Sequence, residues 1–183
     1  CIEDATIAAI RTHAASIARI SPERVREELE KMLAHPTRAQ AWRQIQELNL
    51  LPHLPLGRWI PEQVGQVTDV LAALPERVDF SVAMAAVLLG RSLAEVVSVG
   101  RDLRCSNAQI EDLTWLVAMQ PRLVDMLGMR LADFKRVAAY RRFDDLLVLG
   151  AAVLKAAGQS AVLCEAIRVR RDAIADDQLT PPP

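Results

Sequence analysis

The carboxylate pairs are the first residues to weigh for chemistry: Glu3-Asp4, Asp144-Asp145 and Asp176-Asp177. A metal-dependent polymerase holds carboxylates together on rigid backbone so that they grip two Mg²⁺ ions. Adjacent acids on a helix point in different directions, so these pairs read instead as helix-start charge and, for the third, a solvated tail. Three cysteines, Cys1, Cys105 and Cys164, lie far apart and form no C-x-x-C pair, as expected of free thiols in a reducing compartment. Cys105 sits between Arg104 and Ser106, where a nearby cation could lower a thiol pKa, but no histidine partner accompanies it. None of His13, His35 and His53 adjoins an aspartate or clusters at metal-ligand spacing. Nucleotide loops, nucleophile elbows and zincin motifs are absent. The chain is therefore expected to hold no catalytic residue and no metal site of its own.

The basic residues are the other chemical resource. Arg130, Lys135, Arg136, Arg141 and Arg142 stand against only Asp133 in that stretch; Arg168, Arg170 and Arg171 form a second group, and Arg101 with Arg104 a third. Phosphate binding needs cations together with exposed N–H groups, and Arg104-Cys105-Ser106-Asn107, at a helix start, can offer both. A solvated, capped helix face is the alternative reading of the same residues. Aromatic residues interleaved with the charge, the signature of single-strand binders, are nearly missing, so recognition of folded RNA by backbone and shape fits better. The formal net charge of −1 confines any such contact to a local patch.

These residues must be positioned by helices. The 183 residues are 51% hydrophobic but only 4% aromatic, and the apolar set is mostly Ala, Leu, Val and Ile, which favours helix over sheet. Asp4 is placed to cap a first helix with Ile7, Ile10, Ala14 and Ile17 on one face. Ser21-Pro22-Glu23 combines a capping hydroxyl, a first-turn proline and a first-turn acid. Val25, Leu29, Met32 and Leu33 follow at helical spacing, with Glu27–Lys31 and Glu23–Arg26 as surface pairs. Thr37 to Gln40, Ser92 to Glu95 and Ser106 to Gln109 read as capping boxes. Asn49 stands where a left-handed cap is wanted, and Pro52, Pro55 and Gly57 mark a connector. Later helices are expected from Pro61, over the uncharged run Phe80 to Gly90, and from about Phe143 to Ala157 and Ser160 to Ile174. The expected fold is all-α, an irregular array of about ten short helices without a strict repeat. No apolar run is long enough for a membrane span and no signal peptide is recognisable, so a cytoplasmic location is expected. The chain does not begin with Met and opens directly into a helical pattern, the expectation for a fragment.

The run Ile17-Ala18-Arg19-Ile20-Ser21-Pro22-Glu23-Arg24-Val25-Arg26-Glu27-Glu28-Leu29 resembles the neck motif of bacterial (class II) CCA-adding tRNA nucleotidyltransferases and their poly(A) polymerase relatives, in which a helix opens I-S-x-E-R-(I/V)-R-x-E-L. Ile2 to Ile10 resembles the lead-in from the head to the neck. Leu48-Asn49-Leu50-Leu51-Pro52-His53-Leu54-Pro55 is similar to the family's L-G-L-L…L-P segment, with Asn49 for Gly. Leu103-Arg104-Cys105-Ser106-Asn107 is similar to its L-(K/R)-x-S-N element, and Leu179 to Pro183 to its P-P-P-L-L-x-G end. Where the family often carries an H-R-A-D-like stretch, this chain has Leu149-Gly150-Ala151-Ala152-Val153. The resemblance implies a neck over residues 1–55, a tRNA-binding body over 56–175 and a polar, proline-rich segment over 176–183. It implies that Glu23, Arg24 and Arg26 brace the neck. It also implies that Arg101, Arg104, Ser106, Asn107, Lys135, Arg136, Arg141 and Arg142 meet RNA, at the acceptor and T-arm region of tRNA. The catalytic head, with its G-G-x-x-R-D loop, D-x-D pair and E-D-x-x-R helix, would precede this chain and would hold Mg²⁺ and CTP or ATP. No DNA partner is expected. A poly(A) polymerase fragment and a free-standing helical interaction module remain as alternatives.

Overall fold

The computed structural model describes residues 3–57, 59, 61–175 and 179. Cys1, the pair Asp176-Asp177 and the proline-rich end lie outside the described residues. Ten α-helices follow in order: α1 Asp4–His13, α2 Pro22–Ala34, α3 Arg38–Glu47, α4 Pro61–Ala73, α5 Phe80–Leu88, α6 Leu93–Asp102, α7 Asn107–Met119, α8 Leu131–Ala138, α9 Phe143–Ala156 and α10 Val162–Asp172. Short 3-10 turns at Ala14–Arg19, Leu51–His53 and Gln120–Asp125 join them, and no strand occurs among the described residues. The all-α expectation holds, and none of these helices is long and apolar enough to cross a membrane.

Helix α5 is the axis of the packing. Every residue from Ser81 to Leu88 is buried, as a helix that is apolar all round must be. Helices α2, α4, α7 and α9 pack against it. Their inward residues include Val25, Leu29 and Leu33 on α2, which the spacing marked, and Val64, Val67, Val70 and Leu71 on α4. One hydrophobic core runs from Val25 to Ile174 without a break. Helix α1 is different, since none of its own residues is buried.

Helix ends follow side-chain chemistry. Ser21 Oγ accepts from Arg24 N at 3.4 Å with Pro22 in the first turn. Both capping boxes around Ser92–Glu95 and Ser106–Gln109 form. The third does not: Thr37 gives no side-chain cap, and its hydroxyl instead meets His35 Nδ1 at 2.8 Å. Helix α1 starts from Glu3 rather than Asp4, and neither side chain caps it. Asn49 takes the left-handed conformation, φ 57°. Leu50 N then closes on Ile45 O at 2.9 Å, satisfying a carbonyl that the helix end leaves open. The pairs read on α2 are rearranged. Lys31 bonds Glu28 at 2.8 Å rather than Glu27, and Arg26 turns toward Glu30 at 3.8 Å rather than Glu23.

Candidate nucleic-acid interface

The start of α2, the end of α6 and the start of α7 meet at one junction. Arg26 makes the meeting. Its Nη1 donates to Arg104 O at 3.4 Å and to Gln109 Oε1 at 3.5 Å, across 78 and 83 residues of chain. Gln109 is also the reciprocal partner in the Ser106 capping box and donates through Nε2 to Glu30 Oε1 at 3.5 Å. The neck-like motif and the Leu103–Asn107 element are thereby one unit. Of the three neck residues, Arg26 alone reaches another element; Glu23 and Arg24 are exposed on the same helix, and Glu23 makes no ion pair among the described residues.

Helix α6 ends at Asp102, and the turn that follows exposes the Arg104 side chain. Arg104 is left-handed, φ 55°, and Cys105 N closes on Gly100 O at 2.9 Å. Such a conformation is strained for a residue with a Cβ. It puts the Arg104 guanidinium outside the packing, next to exposed Arg101, and neither has a carboxylate partner among the described residues. Ser106 is committed to capping, with its hydroxyl accepting from Gln109 N at 3.2 Å, and Asn107 is exposed in the first turn. Cys105 is half-buried. Burial pushes its thiol up, with Arg26 pulling the other way, so it is no reactive thiolate at neutral pH.

The basic group between Arg130 and Arg142 is built otherwise. In sequence it faces only Asp133; the fold brings Asp79, Glu111, Asp112 and Asp145 to it. Arg142 meets Asp79, Asp112 at 3.5 Å and Asp145 at 3.1 Å. Arg141 pairs with Asp112 at 2.6 Å and Glu111 at 3.6 Å, and lies over the Tyr140 ring. Tyr140 stacks on Trp115 and donates to Glu111 Oε1 at 3.0 Å; burial, then that bond, pushes its hydroxyl up to about 12. Arg136 and Arg130 share Asp133, each at 3.0 Å, and half-buried Lys135 is engaged as well. Of the Arg168–Arg171 group, Arg170 donates to the carbonyls of Met126, Leu127 and Met129 and sits over Phe134. Arg168 pairs with Asp144 at 3.7 Å.

One buried cation escapes the sequence reading. Arg38 is 1% exposed and donates to Leu33 O, Ala34 O, Pro75 O and Glu76 O, at 2.7, 3.4, 2.9 and 2.6 Å. It stitches the end of α2 to the chain after α4. A signal existed: Arg38, Trp42 and Ile45 fall at i, i+4 and i+7, which puts the arginine on the apolar face.

Among the described residues no group of three or more His, Cys, Asp and Glu could hold a metal ion. The donor set does not fit a metal pair, and no metal-dependent step is assigned to it.

The arrangement is therefore a helical scaffold that presents a few arginines, Arg101 and Arg104 among them, with no ion pair among the described residues. Residues 1–58 match the family described as "Probable RNA and SrmB- binding site of polymerase A". The match covers about a third of the chain and makes this part similar to an RNA-binding region of the polymerase A family. No curated protein and no solved structure matches the chain.

Proposed function

We propose that the chain is the RNA-holding neck and body of a tRNA nucleotidyltransferase. In this reading residues 1–55 are the neck, 56–175 the body and 176–183 a polar end, and the chain positions the tRNA acceptor and T-arm. The carrying observation is the Arg26 junction, which joins the family-matched segment to the Ser106 cap and leaves Arg101 and Arg104 outward. Cations beside a helix N-terminus recognise phosphate without reading sequence. Catalysis would reside in a preceding head with its own Mg²⁺ and CTP or ATP. There the tRNA 3′-hydroxyl would attack the nucleotide α-phosphate, and holding the RNA in line supplies much of the rate. Cytoplasmic location belongs to the same reading.

The test is incubation of the pure chain with tRNA and labelled CTP and ATP. The chain binds tRNA and adds no nucleotide; incorporation would overturn a purely positioning role. The matched description names polymerase A, which favours a second reading, a poly(A) polymerase fragment. Under that reading an unstructured oligo(A) displaces bound tRNA at equal strand charge; under the first it does not.

A further inference from the structure

Between α4, the end of α5 and the end of α9 lies a cleft of about 430 Å³, a volume typical of small-ligand sites. Its walls are mostly apolar, through Val67, Val70, Ala86, Leu89, Val153 and Ala156, with three glutamines among the lining residues. Trp59 stands at its edge in a fixed pose, its Nε1 donating to Leu56 O at 3.1 Å and its ring edge-on to Trp42 at 5.3 Å. The charges around the cleft do not balance. Arg91 lies 4.5 Å over the Trp59 ring and is paired with Glu95 at 3.4 Å, so its charge is already met. Asp69 also lines the cleft, is exposed, and makes no ion pair among the described residues. The carboxyl end of α5 borders the same space, and its carbonyls add partial negative charge; the end of α9 borders it too, but Lys155 in its last turn offsets that end. The last turn of α5 carries no basic residue to offset it.

An apolar box with a negative rim fits a hydrocarbon stem that carries a positive head. We propose that this cleft binds a small amphiphilic organic cation, its stem against Val67, Val70, Ala86 and Val153 and its ammonium against Asp69 and the end of α5. The site is separate from the arginine junction, and the inference does not rest on the RNA reading.

Hexylammonium, 1-hexanol and hexanoate are titrated into the full chain, with the Trp59 indole N–H resonance as reporter. Hexylammonium binds about two- to five-fold tighter than 1-hexanol, the range for a solvent-facing ion pair, and hexanoate binds weakest. Asp69→Asn, an exposed change that keeps the fold, removes the preference while 1-hexanol affinity stays unchanged. Equal affinity of hexylammonium and 1-hexanol for the unaltered chain overturns the proposal. So does an undiminished preference in Asp69→Asn, or a Trp59 resonance that none of the probes moves.

Discussion

Arg38 meets no carboxylate among the described residues, yet it is buried. Burial lowers its pKa, but a guanidinium keeps its proton. Its counter-charge comes from four carbonyl oxygens, two of them at the α2 terminus, where a helix favours cations. Arg142 solves the same problem with carboxylates. It ties Asp79, which caps α5, to Asp112 on α7 and Asp145 on α9. Removing it leaves Asp79 and Asp145 without this cation while Asp112 keeps Arg141, so Arg142→Met is expected to cost about 1–3 kcal/mol in chemical denaturation. A loss below 1 kcal/mol would show the network to be idle. Asp145 carries a pH prediction. Burial, the largest cause, holds its carboxyl above the ordinary value, with Arg142 pulling it down. The folded chain then binds that proton more tightly than the unfolded one. The charged form costs stability above the folded pKa, and the cost vanishes as pH falls below the unfolded value of about 3.9. Asp145→Asn is expected to raise Tm at pH 7 and leave it unchanged at pH 3; a lower Tm at pH 7 would contradict this. Arg104 differs again, because its backbone is strained while its side chain meets no carboxylate among the described residues. Arg104→Gly is expected to gain about 1 kcal/mol of stability while weakening RNA binding. A variant that is more stable and binds RNA equally well would make Arg104 a helix end and nothing more.

At the scale of elements, the close approaches set the tolerances. A Cβ on Gly150 of α9 would stand 2.2 Å from Leu123 Cδ1 and 3.3 Å from Cys164 Sγ. Alanine normally gains up to about 1 kcal/mol over glycine in a helix, but overpacking a core costs about 1–3 kcal/mol. Gly150→Ala is therefore expected to lower stability on balance, and a higher Tm would show that Leu123 yields freely. The same packing buries Leu149, Gly150 and Ala152 of the run Leu149-Gly150-Ala151-Ala152-Val153. The helices themselves were legible because proline, capping pairs and apolar spacing act locally. Ser21-Pro22, Ser92–Glu95, Ser106–Gln109 and Asn49 all behave as their residue types require. Thr37 does not, because His35 competes for its hydroxyl. The basic clusters were less legible for a physical reason: Asp79, Asp112 and Glu111 are remote in sequence from Arg141 and Arg142, and only the fold supplies them. Arg26 meeting Gln109 is hidden in the same way.

At the scale of the whole molecule, a single core joins the family-matched segment to the rest of the chain. The motif helix α2 cannot move without disturbing α5 and the α6–α7 turn. This rigidity suits a part whose proposed task is to hold RNA in place. The charge distribution narrows where RNA would lie. Arg141 and Arg142 face an excess of carboxylates, which repels phosphate, whereas Arg101 and Arg104 have none paired with them among the described residues. The most direct measurement is fluorescence anisotropy of labelled tRNA on the full chain, competed with a random duplex of equal charge and repeated over a range of salt. The account predicts a clear preference for tRNA, and a double variant Arg101→Gln with Arg104→Gln whose salt slope falls by about two contacts' worth. Equal competition by the random duplex, with a salt slope unmoved in the double variant, would contradict it.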